Sequence, residues 1–210
     1  MSSLHPRSTL KGSVQIVQEF FGYAINSILY QRGIYPPDTF ARNPKYGLSM
    51  MVTTDEALTT YLSNVLVQLE GWMTSGSVQR LVLVIEGLES HSTLERWDFK
   101  LEQEAPAAQA DGVKPSKSRK DIQREIQAII RQITASVTFL PILDEPCAFD
   151  LLVYTSADAA VPASWEDSDP RYINPDQCES VRLRSFTTSV HKVDTCVMYK
   201  GGGLEDDDDI

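Results

Sequence analysis

Val78-Gln79-Arg80-Leu81-Val82-Leu83-Val84-Ile85 and, eight residues on, Leu94-Glu95-Arg96-Trp97-Asp98-Phe99-Lys100-Leu101 decide the fold. The first run is apolar and β-branched for most of its length, the pattern of a central strand covered on both faces. The second alternates: Trp97, Phe99 and Leu101 point one way, Arg96, Asp98 and Lys100 the other. The connection Glu86 to Thr93 is short and polar and contains Gly87, so the two runs form an antiparallel hairpin.

Outward from this hairpin the chain reads as helices and further strands. Ser13 to Gln31 predicts a helix with Ser13 as N-cap and Gly33 as stop, ahead of Pro36 and Pro37. Val14, Val17, Phe20, Phe21, Ala24, Ile25, Ile28 and Leu29 leave it apolar nearly all round, which places it centrally. Leu48 to Val52 predicts a short strand. Thr53 and Glu56 have the spacing of a capping box, and Leu58, Leu62, Val65, Leu66, Leu69, Trp72 and Met73 follow with helical period until Gly76. Gln103 to Arg119 is polar and reads as a mobile surface loop. A third helix runs from about Ser118 to Phe139 on a stripe of Ile122, Ile126, Ile129, Ile130, Ile133 and Val137, with Pro141 beyond it. Cys147 to Tyr154 predicts another apolar strand.

The remainder behaves differently. Thr155 to Ser180 carries Pro162, Pro170 and Pro175 and has no period, although structureless loops beyond about 12–15 residues are uncommon in a compact domain. Val181 to Val190 and Asp194 to Lys200 are strand-like, but Ser185-Phe186-Thr187-Thr188-Ser189 puts hydroxyls on both faces, a pattern that specifies register weakly. The expected architecture is α+β, with three helices on one face of an antiparallel sheet. The expected organisation is a flexible arm over 1–12, a core over 13–154, a further segment of the same domain over 155–200 and a disordered acidic tail over 201–210.

Composition excludes several function classes. The formal charge is −10, yet five of 29 acidic residues lie between Glu205 and Asp209, and without them the balance is 24 acidic to 19 basic, or −5. No sustained basic excess exists to displace counterions from duplex nucleic acid. No apolar run approaches the ~18 residues of a membrane span. Cys147, Cys178 and Cys196 lack metal-site spacing, and with no leader or glycosylation sequon the chain reads as reduced and cytosolic or nuclear. No phosphate-binding, dinucleotide-binding, zinc-protease or nucleophile-elbow motif occurs. A nucleophile and base drawn from Cys147 or Cys196 with His191 is the remaining enzymatic alternative, a cysteine-dependent hydrolase, with nothing to orient either partner. Lys114, Lys117, Arg119 and Lys120 read as a solvated loop entering a helix.

Four segments together resemble the spindle-checkpoint branch of the HORMA-domain family. They are Glu19-Phe20-Phe21 with Asn26 to Pro36; Leu94-Glu95-Arg96-Trp97; Ile130 to Ala135 with Val137 to Pro141; and Val181 to Thr188 with His191-Lys192-Val193. The resemblance spans about Leu10 to Lys200 and departs in the loop before the third helix and in the tail. It implies a binding module without enzyme activity, cofactor or metal, whose C-terminal "safety belt" closes over a partner peptide and which moves between open and closed conformers. The implied partners are the coiled-coil checkpoint receptor mitotic arrest deficient-one, the anaphase-promoting-complex activator cell-division-cycle twenty, a second copy in the other conformer, and an AAA-type remodelling ATPase with its HORMA adaptor. The implied role is delay of anaphase, and the implied setting is nucleus, kinetochore and cytoplasm. A HORMA adaptor of translesion DNA synthesis or of the meiotic axis is the alternative.

The resemblance also assigns residues. Trp72 belongs to the peptide site, although its spacing equally fits a core tryptophan. The edge formed by Cys147, Phe149, Leu151 and Val153 would pair with the peptide, since a sheet edge offers unpaired N–H and C=O groups that an extended segment completes. Trp165 either anchors the belt or is a half-buried loop aromatic. Arg131, Gln132, Phe139 and Arg184 form the interface between conformers, where the third helix alone suggests a solvated arginine. Leu10, Val181, Leu183, Phe186, Val197 and Tyr199 belong to the switch: the segment 181–200 covers the 147–154 edge in one state and pairs beside Leu94 to Leu101 in the other.

Overall fold

The computed structural model describes residues 9–103 and 117–201. Most of the expected arm and polar loop, and the tail beyond Gly201, lie outside the described residues. The elements are α1 (Leu10–Gln31), β1 (Phe40–Lys45), β2 (Leu48–Thr53), α2 (Glu56–Thr74), β3 (Val78–Gly87), β4 (Thr93–Gln103), α3 (Arg119–Ala135), β5 (Cys147–Thr155), β6 (Cys178–Arg182), β7 (Phe186–Thr187) and β8 (His191–Lys200).

The predicted hairpin is the middle of the sheet. The strand order is β5-β3-β4-β8-β6, with β7 also on β8, and each pairing is antiparallel. One face takes Leu81, Leu83 and Ile85 of β3, Phe99 and Trp97 of β4, and Val193, Val197 and Tyr199 of β8 into a core shared with the three helices. The α1 helix is central, as its all-round apolarity requires: Phe20 sits 5.9 Å from the Phe99 ring and 4.9 Å from the Phe186 ring, and all three are fully buried. Burying a phenylalanine stabilises by about 1.5–3 kcal/mol, so this trio is a principal tie between helix and sheet. The other face of the sheet holds a smaller apolar cluster of Val82, Val84, Leu152 and Tyr154.

Several boundaries differ from the sequence reading. The cap of α1 is Thr9, whose hydroxyl accepts from the Gly12 N–H, so Leu10 to Gly12 are helical rather than part of the arm. Ser13 instead is wholly buried, bonded to Thr188 and His191. Thr53 does not cap α2; Asp55 does, accepting from the Leu58 N–H at 2.7 Å. The third helix stops at Ala135 and tightens into a 3-10 turn over Ser136–Thr138. The strand β1 was not expected, because Asn43 and Pro44 disfavour strands. It is tolerated in a separate two-stranded hairpin with β2, joined at Tyr46 and Gly47, where both φ angles are positive (52° and 71°) as a tight hairpin turn requires. Val181 to Val190 is broken: β6 ends at Arg182 and β7 is two residues long, whereas β8 starts three residues earlier than predicted.

Candidate functional site

Among the described residues β5 is an edge strand: it pairs with β3 on one side and with no strand on the other. The segment 181–200 does not cover it, since β8 pairs with β4, from Glu95 with Tyr199 to Gln103 with His191. Of the two seats read from sequence, the structure shows the one beside β4.

The open side of β5 is walled off by α2 and by the long connection from Ser156 to Asn174. A cavity of about 990 Å³ remains between them, lined by Tyr61, Val65 and Gln68 of α2, by Leu151 and Val153 of β5, and by Ser164 to Arg171 of the connection. A cavity open along a strand edge accepts an added strand, whose main chain would complete the ladder while side chains enter the space towards α2. The Leu151 N–H faces this side, near the Tyr61 hydroxyl and the Asp150 carboxylate. Burial and the Asp150 charge push the Tyr61 phenol up to about 12, so it is a neutral donor at physiological pH. Four carboxylates line the cavity, Asp150, Glu166, Asp167 and Asp169, against one guanidinium, that of Arg171, which is paired with Glu86.

The connection is fixed at two points. At the near one, the Trp72 indole N–H donates to the Ala160 carbonyl at 2.9 Å, and the Trp72 and Trp165 rings meet edge to face at 4.9 Å. At the far one, Pro170, Arg171 and Tyr172 lie on the second face of the sheet. Arg96 donates to the Pro170 carbonyl, its guanidinium stands 4.8 Å from the Tyr172 ring centroid, and Arg171 pairs with Glu86.

These contacts sort the residues expected at the peptide site. Leu151, Val153 and Trp165 line the cavity. Trp72 is buried and reaches the site through the connection that it holds. Phe149 packs on Tyr35 and Tyr61 below the cavity. The Cys147 thiol donates to the Glu145 carbonyl, opposite Gly87 in the ladder, at the far end of the strand. Tyr61, Gln68 and Arg96 were missed. Tyr61 and Gln68 lie one helical heptad apart on the α2 face beside its core stripe, a signal that was available; Arg96 looked like an outward residue of an alternating strand.

The residues assigned to the conformer interface come together in part. The Arg184 N–H donates to Gln132 Oε1 at 2.7 Å, Phe139 is exposed and tilted against Tyr199, and Arg131 lies exposed one residue before Gln132. Among the switch residues, Leu183, Phe186, Val197 and Tyr199 are buried in the core, Val181 packs against it, and Leu10 is exposed at the first position of α1. The cysteine–histidine pairing has no geometry. His191 Nδ1 is 2.6 Å from Ser13 Oγ, on the core side of β8, whereas Cys196 is on the alternate face of that strand, and burial raises its thiol pKa. Among the described residues no three His, Cys, Asp or Glu side chains are grouped to hold a metal, and no helix is long and apolar enough to cross a membrane.

Comparison with known proteins agrees with this geometry. The HORMA domain profile matches residues 13–191. The mitotic spindle assembly checkpoint protein MAD2A of Mus musculus is 56% identical over 192 residues, 91% of this chain and 92% of that protein. Among solved structures, a chain of the mitotic checkpoint complex superposes with a TM-score of 0.80 at 47% identity, over 90% of this chain and 99% of that one. The C. elegans protein HTP-1 bound to the HIM-3 closure motif has the same fold, with a TM-score of 0.75 at 16% identity over 91% of this chain and 92% of that chain.

Proposed function

The chain belongs to the HORMA-domain family, within its mitotic spindle assembly checkpoint branch, and from that premise we propose that it traps an extended segment of a partner between β5, α2 and residues 156–174. The single observation that carries this is the unpaired outer edge of β5 enclosed beneath a connection fixed at both ends. The residues expected at the peptide site act as edge (Leu151, Val153), belt contact (Trp165) and belt support (Trp72).

The partners proposed for this groove are the anaphase-promoting-complex activator cell-division-cycle twenty and the coiled-coil receptor mitotic arrest deficient-one. The similarity to a chain of the mitotic checkpoint complex supports them. Arg131, Gln132, Phe139 and Arg184 serve a second copy of this chain in the other conformer, and an AAA-type ATPase with its HORMA adaptor resets the belt. The action takes place in nucleus, cytoplasm and at the kinetochore, and delays anaphase by binding alone, without catalysis.

Switching follows from the sheet. If 181–200 occupies the β5 edge in the open state, that seat and the peptide exclude each other, and a peptide that binds only the closed form draws the population to the β4 seat. A pulldown with a peptide from the activator, comparing the full chain with one cut after Ala160, tests the belt. Retention by the full chain alone is expected; equal retention by the truncated chain refutes it.

A further inference from the structure

Resting on the peptide-trapping reading above, we propose that Arg96 is the catch of the belt: a positioning residue that holds Pro170 to Tyr172 against the second face of the sheet and thereby sets how fast a captured segment is released. The near anchor, at Trp72, grips chain that is in any case tethered a few residues from the end of β5. Chain connectivity keeps that end of the belt beside the groove whether the belt is open or shut. The bridge across the cavity, residues 166–169, therefore lifts by yielding at its far end, and Arg96 stands there.

The environment of Arg96 fits that task. Its side chain is 1% exposed, on the face of the sheet opposite the three helices. One terminal nitrogen donates to the Pro170 carbonyl and the other to the Tyr154 hydroxyl at 3.0 Å, while the guanidinium stands 4.8 Å from the Tyr172 ring centroid and 5.6 Å from that of Tyr154. Asp98, the nearest carboxylate among the described residues, is 3.9 Å away and is engaged by Arg80 at 2.7 Å. The belt thus both buries this cation and supplies two of its compensating contacts. Lifting the belt returns the guanidinium to water but breaks a charge-assisted hydrogen bond and a cation–π contact together, so the far anchor opens as a unit. Beside it, Arg171 adopts a left-handed φ of 53° and pairs with Glu86, and Ile173 is buried, so the catch holds consecutive residues.

The test is the release rate of a labelled synthetic peptide from the activator, chased with unlabelled peptide, for the full chain and for Arg96→Met, Tyr172→Ala and the double variant. A charge-assisted hydrogen bond corresponds to about ten- to a hundred-fold in an equilibrium constant, so release from Arg96→Met should quicken by at least about tenfold. Tyr172→Ala alters an exposed belt residue outside the core, and so reports on the catch even if Arg96→Met folds poorly. It should also quicken release, and the double variant should be little faster than Arg96→Met, because both changes open one contact. Unchanged release in Tyr172→Ala, or fully multiplicative effects in the pair, overturns the catch while leaving the groove intact. Failure of the unaltered chain to capture the peptide overturns the trapping reading itself, and the catch with it.

Discussion

The indole of Trp72 meets that of Trp165 at 75° and 4.9 Å, and its N–H donates to Ala160, so a core residue of α2 grips the start of the belt twice. Trp72 faces the core and is 5% exposed, whereas Trp165 is half-buried. Removing Trp165 should loosen the belt without disturbing the sheet. Trp165→Ala is expected to lower stability by about 1 kcal/mol, the worth of an aromatic edge contact, and to speed proteolytic cutting within 156–174 far more than elsewhere. Cutting spread evenly over the chain would contradict a locally held belt.

Arg32 and Glu95 form an ion pair at 2.5 Å, both side chains nearly inaccessible, where the end of α1 meets β4. Glu95 also accepts from the Trp97 indole N–H, and Arg32 donates to the Pro141 carbonyl beyond α3. Burial raises the Glu95 pKa although Arg32 opposes this, so the pair contributes little net stability while intact. Its loss is another matter: Glu95→Ala strands a buried guanidinium and should cost about 3–5 kcal/mol in urea unfolding. A cost below 1 kcal/mol would show that water reaches the site.

The hairpin of β3 and β4 was legible because a continuous apolar, β-branched run and a period-two run are joined by a short polar connection. Helix α1 was legible from its apolarity, but its start was not: Thr9 and Ser13 are equally good caps, and only the packing of Ser13 against Thr188 and His191 decides between them. The edge role of β5 could be read from its place just before the long period-free connection, since its apolar run alone would suit a central strand. The far anchor could not, since a loop of prolines and acids carries no period, and nothing local tells Arg96 that a distant carbonyl will cover it. The spacing of Trp72 carried its core role; its place at the peptide site was an expectation from the family resemblance, and its hold on the 156–174 connection through Ala160 is a tertiary fact.

A carboxylate also organises the turn between β3 and β4. Glu145 accepts from the backbone N–H groups of Glu89 and Ser90; the Ser90 hydroxyl first, and then these N–H groups, draw its pKa down, and a Cβ at Gly87 would lie 2.2 Å from its Oε1. Gly87→Ala should displace this flexible side chain rather than the backbone. It is therefore expected to lower the urea midpoint slightly, by as much as Glu145→Ala does, and the double variant should match either single one. Additive losses would mean that the alanine strains the strand itself.

His191 makes the fold acid-sensitive in a defined window. Its ring is buried between the start of α1 and the β7–β8 turn, with Ser13 Oγ at 2.6 Å from Nδ1, and burial lowers its pKa below 6.5. The charged groups near that turn, Lys117 with Glu125 and Lys192 with Asp194, are paired. A depressed histidine pKa means that the unfolded chain binds the proton more readily, so the stability contributed by the neutral ring is complete above about pH 6.5 and lost as pH falls below it. The unfolding free energy should therefore decline as the pH falls below about 6.5, with a slope from this residue of up to about 1.4 kcal/mol per pH unit. The raised pKa of Glu95 acts with the opposite sign, so the informative quantity is the difference from His191→Gln, which keeps a hydrogen-bonding side chain and cannot titrate. That difference should shrink on acidification. Parallel pH profiles for the two proteins would show that the buried ring accepts its proton without cost.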